Sequence, residues 1–109
     1  LELYPEQIEY MTEAIAYARM GLVPAGAYKN REFAAEGLDA GDVEEVYLDL
    51  ISDPQTSGGL LVSVPREELD CLLADFEAVG METKDSVVGC VKERQGKLIQ
   101  LKKGKMEML

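Results

Sequence analysis

The residues best placed to do chemistry are gathered in Asp53-Pro54-Gln55-Thr56-Ser57-Gly58-Gly59. Asp53, Thr56 and Ser57 carry side-chain oxygens that accept hydrogen bonds from nearby backbone N–H groups, as in Asx and ST turns. Pro54 fixes φ and removes one donor. Gly58 and Gly59 permit positive φ and the close approach of a ligand or another backbone. Donors left free in such a turn can form a concave nest for an anion. Neither G-x-x-x-x-G-K-[ST] nor G-x-G-x-x-G is present, so phosphate cradling is not written in the pattern alone. A tight connection between two core strands is the plainer reading of the same residues.

Two charged groups stand beside this stretch. Lys29 and Arg31 bracket Asn30 in an acidic chain. They face either a phosphate or acidic partner, or solvent. Asp39, Asp42, Glu44, Glu45 and Asp49 form an acidic cluster. Such a cluster attracts Mg²⁺, which takes one or two carboxylates plus phosphate oxygens, or it is a solvated face. There is no His, and the two cysteines, Cys71 and Cys90, form no C-x-x-C. That excludes zinc at the usual Cys/His spacing and the Ser-His-Asp and Cys-His mechanisms. Both thiols read as reduced and structural, in keeping with a reducing, cytoplasmic compartment.

The elements that must position these groups follow from periodicity. Tyr4-Pro5-Glu6 opens a helix that runs to Met20, with Ile8, Met11, Ile15 and Ala18 on its apolar face and Gly21 as its stop. Leu22 to Phe33, with Pro24, Gly26 and Asn30, reads as a loop long enough to be functional. Val46 to Ser52 and Leu60 to Val64 are β-branched and aliphatic runs, read as buried strands flanking the Asp53–Gly59 turn. Pro65 starts a second helix with Leu69, Leu72, Leu73, Phe76 and Val79 on one face, stopped by Gly80. Thr83 to Lys92 is a strand in which Gly89 marks a bulge or close packing. A turn at Glu93 to Gly96 returns Lys97 to Leu101 as its hairpin partner. Lys102 to Leu109 is read as a flexible tail. The order gives an α+β fold with a mixed or antiparallel sheet and helices packed on one face.

A chain of 109 residues with 47% hydrophobic and 29% charged residues is one soluble domain with a modest core. Its net charge of −10 argues against a nucleic-acid surface. The locally basic Lys92 to Lys105 region reads as solvated faces. No apolar run reaches the roughly 18 residues of a membrane helix, and no signal peptide stands at the start. A first residue of Leu rather than Met reads as a domain cut from a longer chain.

Asp53-Pro54-Gln55-Thr56-Ser57-Gly58-Gly59-Leu60-Leu61, followed by a Val-rich stretch and Pro65, resembles the segment near the C-terminus of the selenophosphate synthetases (selenide, water dikinases). Gly21-Leu22-Val23-Pro24-Ala25-Gly26-Ala27-Tyr28-Lys29-Asn30-Arg31 is similar to that family's G-x-V-P-G-G-x-x-x-N segment, departing from it at Ala25. The resemblance runs from about Tyr4 to Val91 and covers only the last third or so of a whole family enzyme. It implies the C-terminal domain of an aminoimidazole ribonucleotide synthetase-like ATP enzyme that makes selenophosphate, AMP and phosphate from selenide, ATP and water.

On this resemblance, ATP and Mg²⁺ serve the full-length enzyme, and neither binds this chain tightly. The reactive Cys or selenocysteine, its Lys and the Mg²⁺ aspartates lie in stretches this sequence does not contain. No catalytic or metal residue is therefore carried over. Asp53, Gln55, Thr56, Ser57, Gly58, Gly59 and Asn30 are expected to shape a cleft wall against the N-terminal nucleotide-binding domain. The full-length enzyme is expected to be a homodimer. Removing this domain from its companion is expected to expose apolar surface. Two alternatives stand beside this one: a stand-alone binding module on the same fold, and the same domain from a related superfamily enzyme.

Overall fold

The structure, a computed structural model, describes residues 1–81 and 87–107. It is an α+β fold built on a mixed four-stranded sheet in the order β2-β4-β1-β3. The strands are β1 (Glu2–Leu3), β2 (Leu38–Asp39), β3 (Gly89–Cys90) and β4 (Ile99–Leu101). Among the described residues four α-helices accompany them: α1 (Thr12–Arg19), α2 (Ala25–Ala34), α3 (Glu45–Ile51) and α4 (Leu69–Ala78).

The start of the chain occupies the interior of the sheet. Glu2 pairs with Cys90 antiparallel on one side and with Gln100 parallel on the other. β2 adds parallel to the free side of β4, with Leu38 opposite Ile99. The return of Lys97 to Leu101 as a hairpin partner of the preceding strand is therefore corrected. Gly96 does turn the chain, with φ of 78°, but β1 lies between β3 and β4. Of the expected Thr83 to Lys92 strand, Gly89 and Cys90 are in the sheet, and Thr83 to Ser86 fall outside the described residues. Gly89 is there for close packing, since a Cβ at that position would run into the Glu2 carbonyl oxygen.

The helices are set by their ends. Pro5–Gln7 forms one 3₁₀ turn with Pro5 fully buried, and the chain is extended again at Ile8. α1 therefore begins later than Tyr4-Pro5-Glu6, and Met11 stands exposed at its N-cap rather than in the core. At its far end Gly21 takes φ of 82°. The Gly21 N–H donates to the Ala18 carbonyl and the Leu22 N–H to the Tyr17 carbonyl, both at 3.0 Å. This is a Schellman stop, as the sequence predicts. α4 ends the same way: Gly80 has φ of 69°, and the Met81 N–H reaches the Phe76 carbonyl. Leu69, Leu72, Leu73 and Phe76 form its half-buried face, while Val79 is exposed.

Three expectations around the candidate loop are overturned. Leu22 to Phe33 is mostly helix: Pro24 sits at the N-cap of α2 with ψ of 143°. There its missing donor costs nothing, and Ala25, Ala27, Lys29, Arg31 and Glu32 beyond it are good helix formers. Val46 to Ser52 is not a strand but α3 and its cap. A short apolar run cannot be told from a helix by period, and an acidic first turn favours the helix. Leu60 to Val64 forms no strand; Leu60 is 93% exposed and Leu61 72%.

α3 is the hub of the helices, packing against α1, α2 and the Pro5–Gln7 turn. Val46 is buried on it, and Tyr47 lies 6.0 Å from the Tyr10 ring, tilted by 44°. The Tyr10 hydroxyl donates to the Pro5 carbonyl at 2.7 Å. Burial, then the Tyr47 hydroxyl, push the Tyr10 pKa up, so the phenol stays protonated. Beyond β4, the Gly104 and Met106 N–H groups donate to the Glu6 and Gln7 side chains.

Two outcomes follow. Gly89→Ala should destabilise the chain by about 1–3 kcal/mol through overpacking against β1, read as a lowered urea midpoint. Pairing with Lys92 at 3.1 Å holds the Glu2 carboxyl below its ordinary value of 4.5. Folding thus favours the carboxylate; its contribution is complete above pH 4.5 and is lost as pH falls through the lower folded pKa. Glu2→Gln should remove that part of the acid dependence, measured by urea midpoints across the interval.

Candidate functional site

The site is built where α2 meets the end of α3 and the loop that leaves it. α3 closes at Ser52, and the chain continues as Asp53 to Gly59, every residue of it exposed. The last carbonyls of a helix lack intrahelical donors. Asn30, on α2, supplies one: its Nδ2 donates to the Ser52 carbonyl at 2.8 Å. Gly26, one turn earlier on α2, lies against the Pro54 ring. A Cβ at Gly26 would stand 2.8 Å from Pro54 Cγ and 3.1 Å from Cβ.

Arg31 locks the same two helices from the side. Its Nη1 donates to Asp49 Oδ1 at 2.6 Å and its Nη2 to Glu45 Oε1 at 3.2 Å. Glu45 and Asp49 are four residues apart, so they share a face of α3 that one guanidinium fork can span. Burial pulls the Arg31 pKa down, but its bonds to Asp49 and Glu45 outweigh it and the net direction is up. Arg19 pairs with Glu44 at 3.1 Å and joins α1 to the N-cap of α3. A shallow open groove of about 360 Å³ lies there, lined by Ala18, Arg19, Glu44, Glu45, Val46 and Asp49. None of the residues 53–59 lines it.

Within the loop the Gln55 N–H donates to the Asp53 carbonyl at 2.9 Å. The Gln55 side chain lies against Gly58, where a Cβ would be 3.3 Å from its Nε2. Neither Gly58 nor Gly59 adopts positive φ. Among the described residues nothing lies within 4 Å of a Cβ built at Gly59. The loop is thus held at its start and open at its end.

Of the sequence-predicted residues, the structure brings Asn30 onto the entry of the Asp53–Gly59 loop. Arg31 meets the chain's own carboxylates, and Lys29 is exposed. The acidic cluster is dispersed. Glu44, Glu45 and Asp49 serve arginines, and Asp39 accepts from the Gly41 N–H at 3.1 Å. Among the described residues no three metal-ligating side chains converge. Cys71 is exposed and Cys90 partly buried, both free. Sequence reasoning missed Gly26 as a contact and the pairing of Arg31 with Glu45 and Asp49. The four-residue spacing of those two carboxylates was the available signal.

The two ion pairs of Arg31 should differ in weight. The Asp49 side chain is 14% exposed and that of Glu45 79%. Asp49→Asn should cost about 1.5–3 kcal/mol, the range for a hydrogen bond to a charged group. Glu45→Gln should cost under about 1 kcal/mol, as exposed pairs do. Equal shifts in the thermal midpoints of the two variants would refute this ranking.

No family model matches the chain, and no solved structure matches it. Curated proteins do. Selenide, water dikinase 2 of Peptoclostridium acidaminophilum is 39% identical over 99 residues, 91% of this chain and 28% of that protein. Selenide, water dikinase of Pelobacter propionicus is 45% identical over 87 residues, 79% of this chain and 25% of that protein. That of Treponema denticola is 34% identical over 104 residues, 93% of this chain and 29% of that protein. Across these matches the chain spans only about a quarter of its relatives' length, and over most of its own length it belongs to the selenide, water dikinase family.

Proposed function

We propose that this chain is the C-terminal domain of an ATP-dependent selenophosphate synthetase, which converts selenide, ATP and water into selenophosphate, AMP and phosphate. In this reading the domain is structural to the active site and not catalytic by itself. Its loop, Asp53, Gln55, Thr56, Ser57, Gly58 and Gly59, forms a wall of the cleft against the N-terminal nucleotide-binding domain. Asn30 supports that wall, and the full-length enzyme works as a homodimer in the cytoplasm.

The observation that carries this reading is the convergence of two separated sequence segments. The Gly26 and Asn30 positions of one meet Pro54 and Ser52 of the other. Phosphotransfer depends on positioning and on neutralising phosphate charge, so a wall held at a fixed place is what such a cleft requires. Gly59 fits the same role. Neither its φ nor any described neighbour requires a glycine there, which leaves room for a ligand or a companion backbone to come close. Leu60 at 93% exposure and Phe33 at 93% suit burial against a companion domain. The Mg²⁺ ligands and the reactive nucleophile belong, in this reading, to the part of the enzyme beyond this segment. Among the described residues no helix is long and apolar enough to cross a membrane.

The chain alone should form no AMP from ATP in the presence of selenide and Mg²⁺. Selenide-dependent AMP formation by these 109 residues would overturn the assignment. In a full-length enzyme carrying this segment, Gly59→Val should raise the KM for ATP, because its side chain would occupy the open space of the wall. An unchanged KM would remove the loop from the cleft.

A further inference from the structure

We infer that α2 is the template that sets the course of the Asp53–Gly59 loop, with Gly26 its positioning residue and the Pro54 ring the part it acts through. The inference rests on the reading of this loop as a cleft wall only for its functional consequence; the coupling itself stands on geometry.

Gly26 is in the first turn of α2. Alanine is the better helix former there by propensity, so local helix preference does not account for the glycine, and its φ is not positive. What does account for it is the Pro54 ring. A methyl group at position 26 would be 2.8 Å from Pro54 Cγ and 3.1 Å from Cβ. Side chains usually relieve such a clash by rotating, but a proline ring is fused to the backbone. Ring pucker can shift Cγ, but Cβ is bonded to the backbone Cα, so displacement at Cβ passes into the chain on either side of Pro54.

The neighbours make the path specific. On the near side, Asn30 Nδ2 fixes the Ser52 carbonyl at 2.8 Å, so that end cannot move freely. On the far side, Gln55 follows directly and its side chain lies against Gly58. Movement forced at Pro54 is thus delivered to Gln55 and Gly58, the half of the loop with the fewest restraints. The three contacts Gly26 to Pro54, Asn30 to Ser52 and Gln55 to Gly58 form one mechanical line from helix to loop tip.

The test is a double-mutant cycle read by backbone amide resonances of this chain. Gly26→Ala should shift the amides of Gln55 to Gly59 and leave those of Gly96 and Gly104 in place. Pro54→Ala should shift the same loop amides by removing the ring. In the double variant Gly26→Ala with Pro54→Ala, the effect of the alanine at 26 should largely vanish, because there is no ring left to displace. Loop amides that do not respond to Gly26→Ala, or shifts in the double variant equal to the sum of the two singles, would overturn the inference. Should Gly26→Ala fail to fold, Asn30→Ala supplies the second reading. It should shift Asp53 and Gln55 while α4 amides hold still, and a uniform change across the chain would count against the template.

The functional arm is separate. In the full-length enzyme Gly26→Ala should raise the KM for ATP several-fold, with recovery in the double variant. Loop shifts with an unchanged KM would uphold the template and sink the cleft-wall reading.

Discussion

At the contact of α2 with α3 the Arg31 guanidinium holds Asp49 at 2.6 Å and Glu45 at 3.2 Å. The same contact carries Asn30 onto the Ser52 carbonyl and brings Gly26 against Pro54. These restraints are mostly polar, and they need to be. Among the described residues the buried apolar ones are few, with Ala27, Val46 and Leu101 foremost. Hydrophobic burial is non-directional, and a small core gives it little to work with. Directional bonds between two short helices therefore define where the loop begins. A fork that spans two carboxylates one turn apart fixes rotation as well as distance, which a single ion pair does not.

The helix stops were the most legible part of the sequence, because one residue decides each. Gly21 and Gly80 adopt the left-handed conformation predicted for them, and Leu69, Leu72, Leu73 and Phe76 share the expected face of α4, which Val79 leaves. Gly89 was legible as a close approach for the same reason. α2 was obscured by its own punctuation: Pro24, Gly26 and Asn30 read together as loop. In the structure each has a separate task, as an N-cap, a contact with Pro54 and a cap for α3. α3 was obscured by its β-branched, aliphatic run, whose six residues are too few to show a period.

The sheet was illegible for another reason. Its strands are two or three residues long, and such a segment has no alternation to detect. Sequential segments usually pair, so Lys97 to Leu101 was expected beside the strand before it. Instead β1 takes that place from the far end of the chain, with Tyr4 donating to the Val88 carbonyl at 2.7 Å and Gln100 to the Leu1 carbonyl at 2.9 Å. Parallel pairing of β1 with β4 requires that separation, because parallel strands cannot be joined by a tight turn. The α+β class was still legible, since it depends on the mixture of elements rather than on their pairing.

The loop itself shows how a segment can be recognisable in sequence while its geometry is not. Its composition announces unusual backbone, yet Gly58 and Gly59 adopt no left-handed conformation. Little inside residues 53–59 fixes their path beyond the Gln55 N–H to Asp53 bond and the Gln55 side chain against Gly58. The path is imposed at the start by α2, some twenty residues earlier in the chain, and left open at Gly59. A segment restrained on one side and free on the other meets a second body without first breaking contacts of its own. Preorganisation of that kind lowers the ordering cost of association. It is the property one would ask of a surface completed by another domain, and it arises here from a missing methyl group on a helix rather than from the loop's own residues.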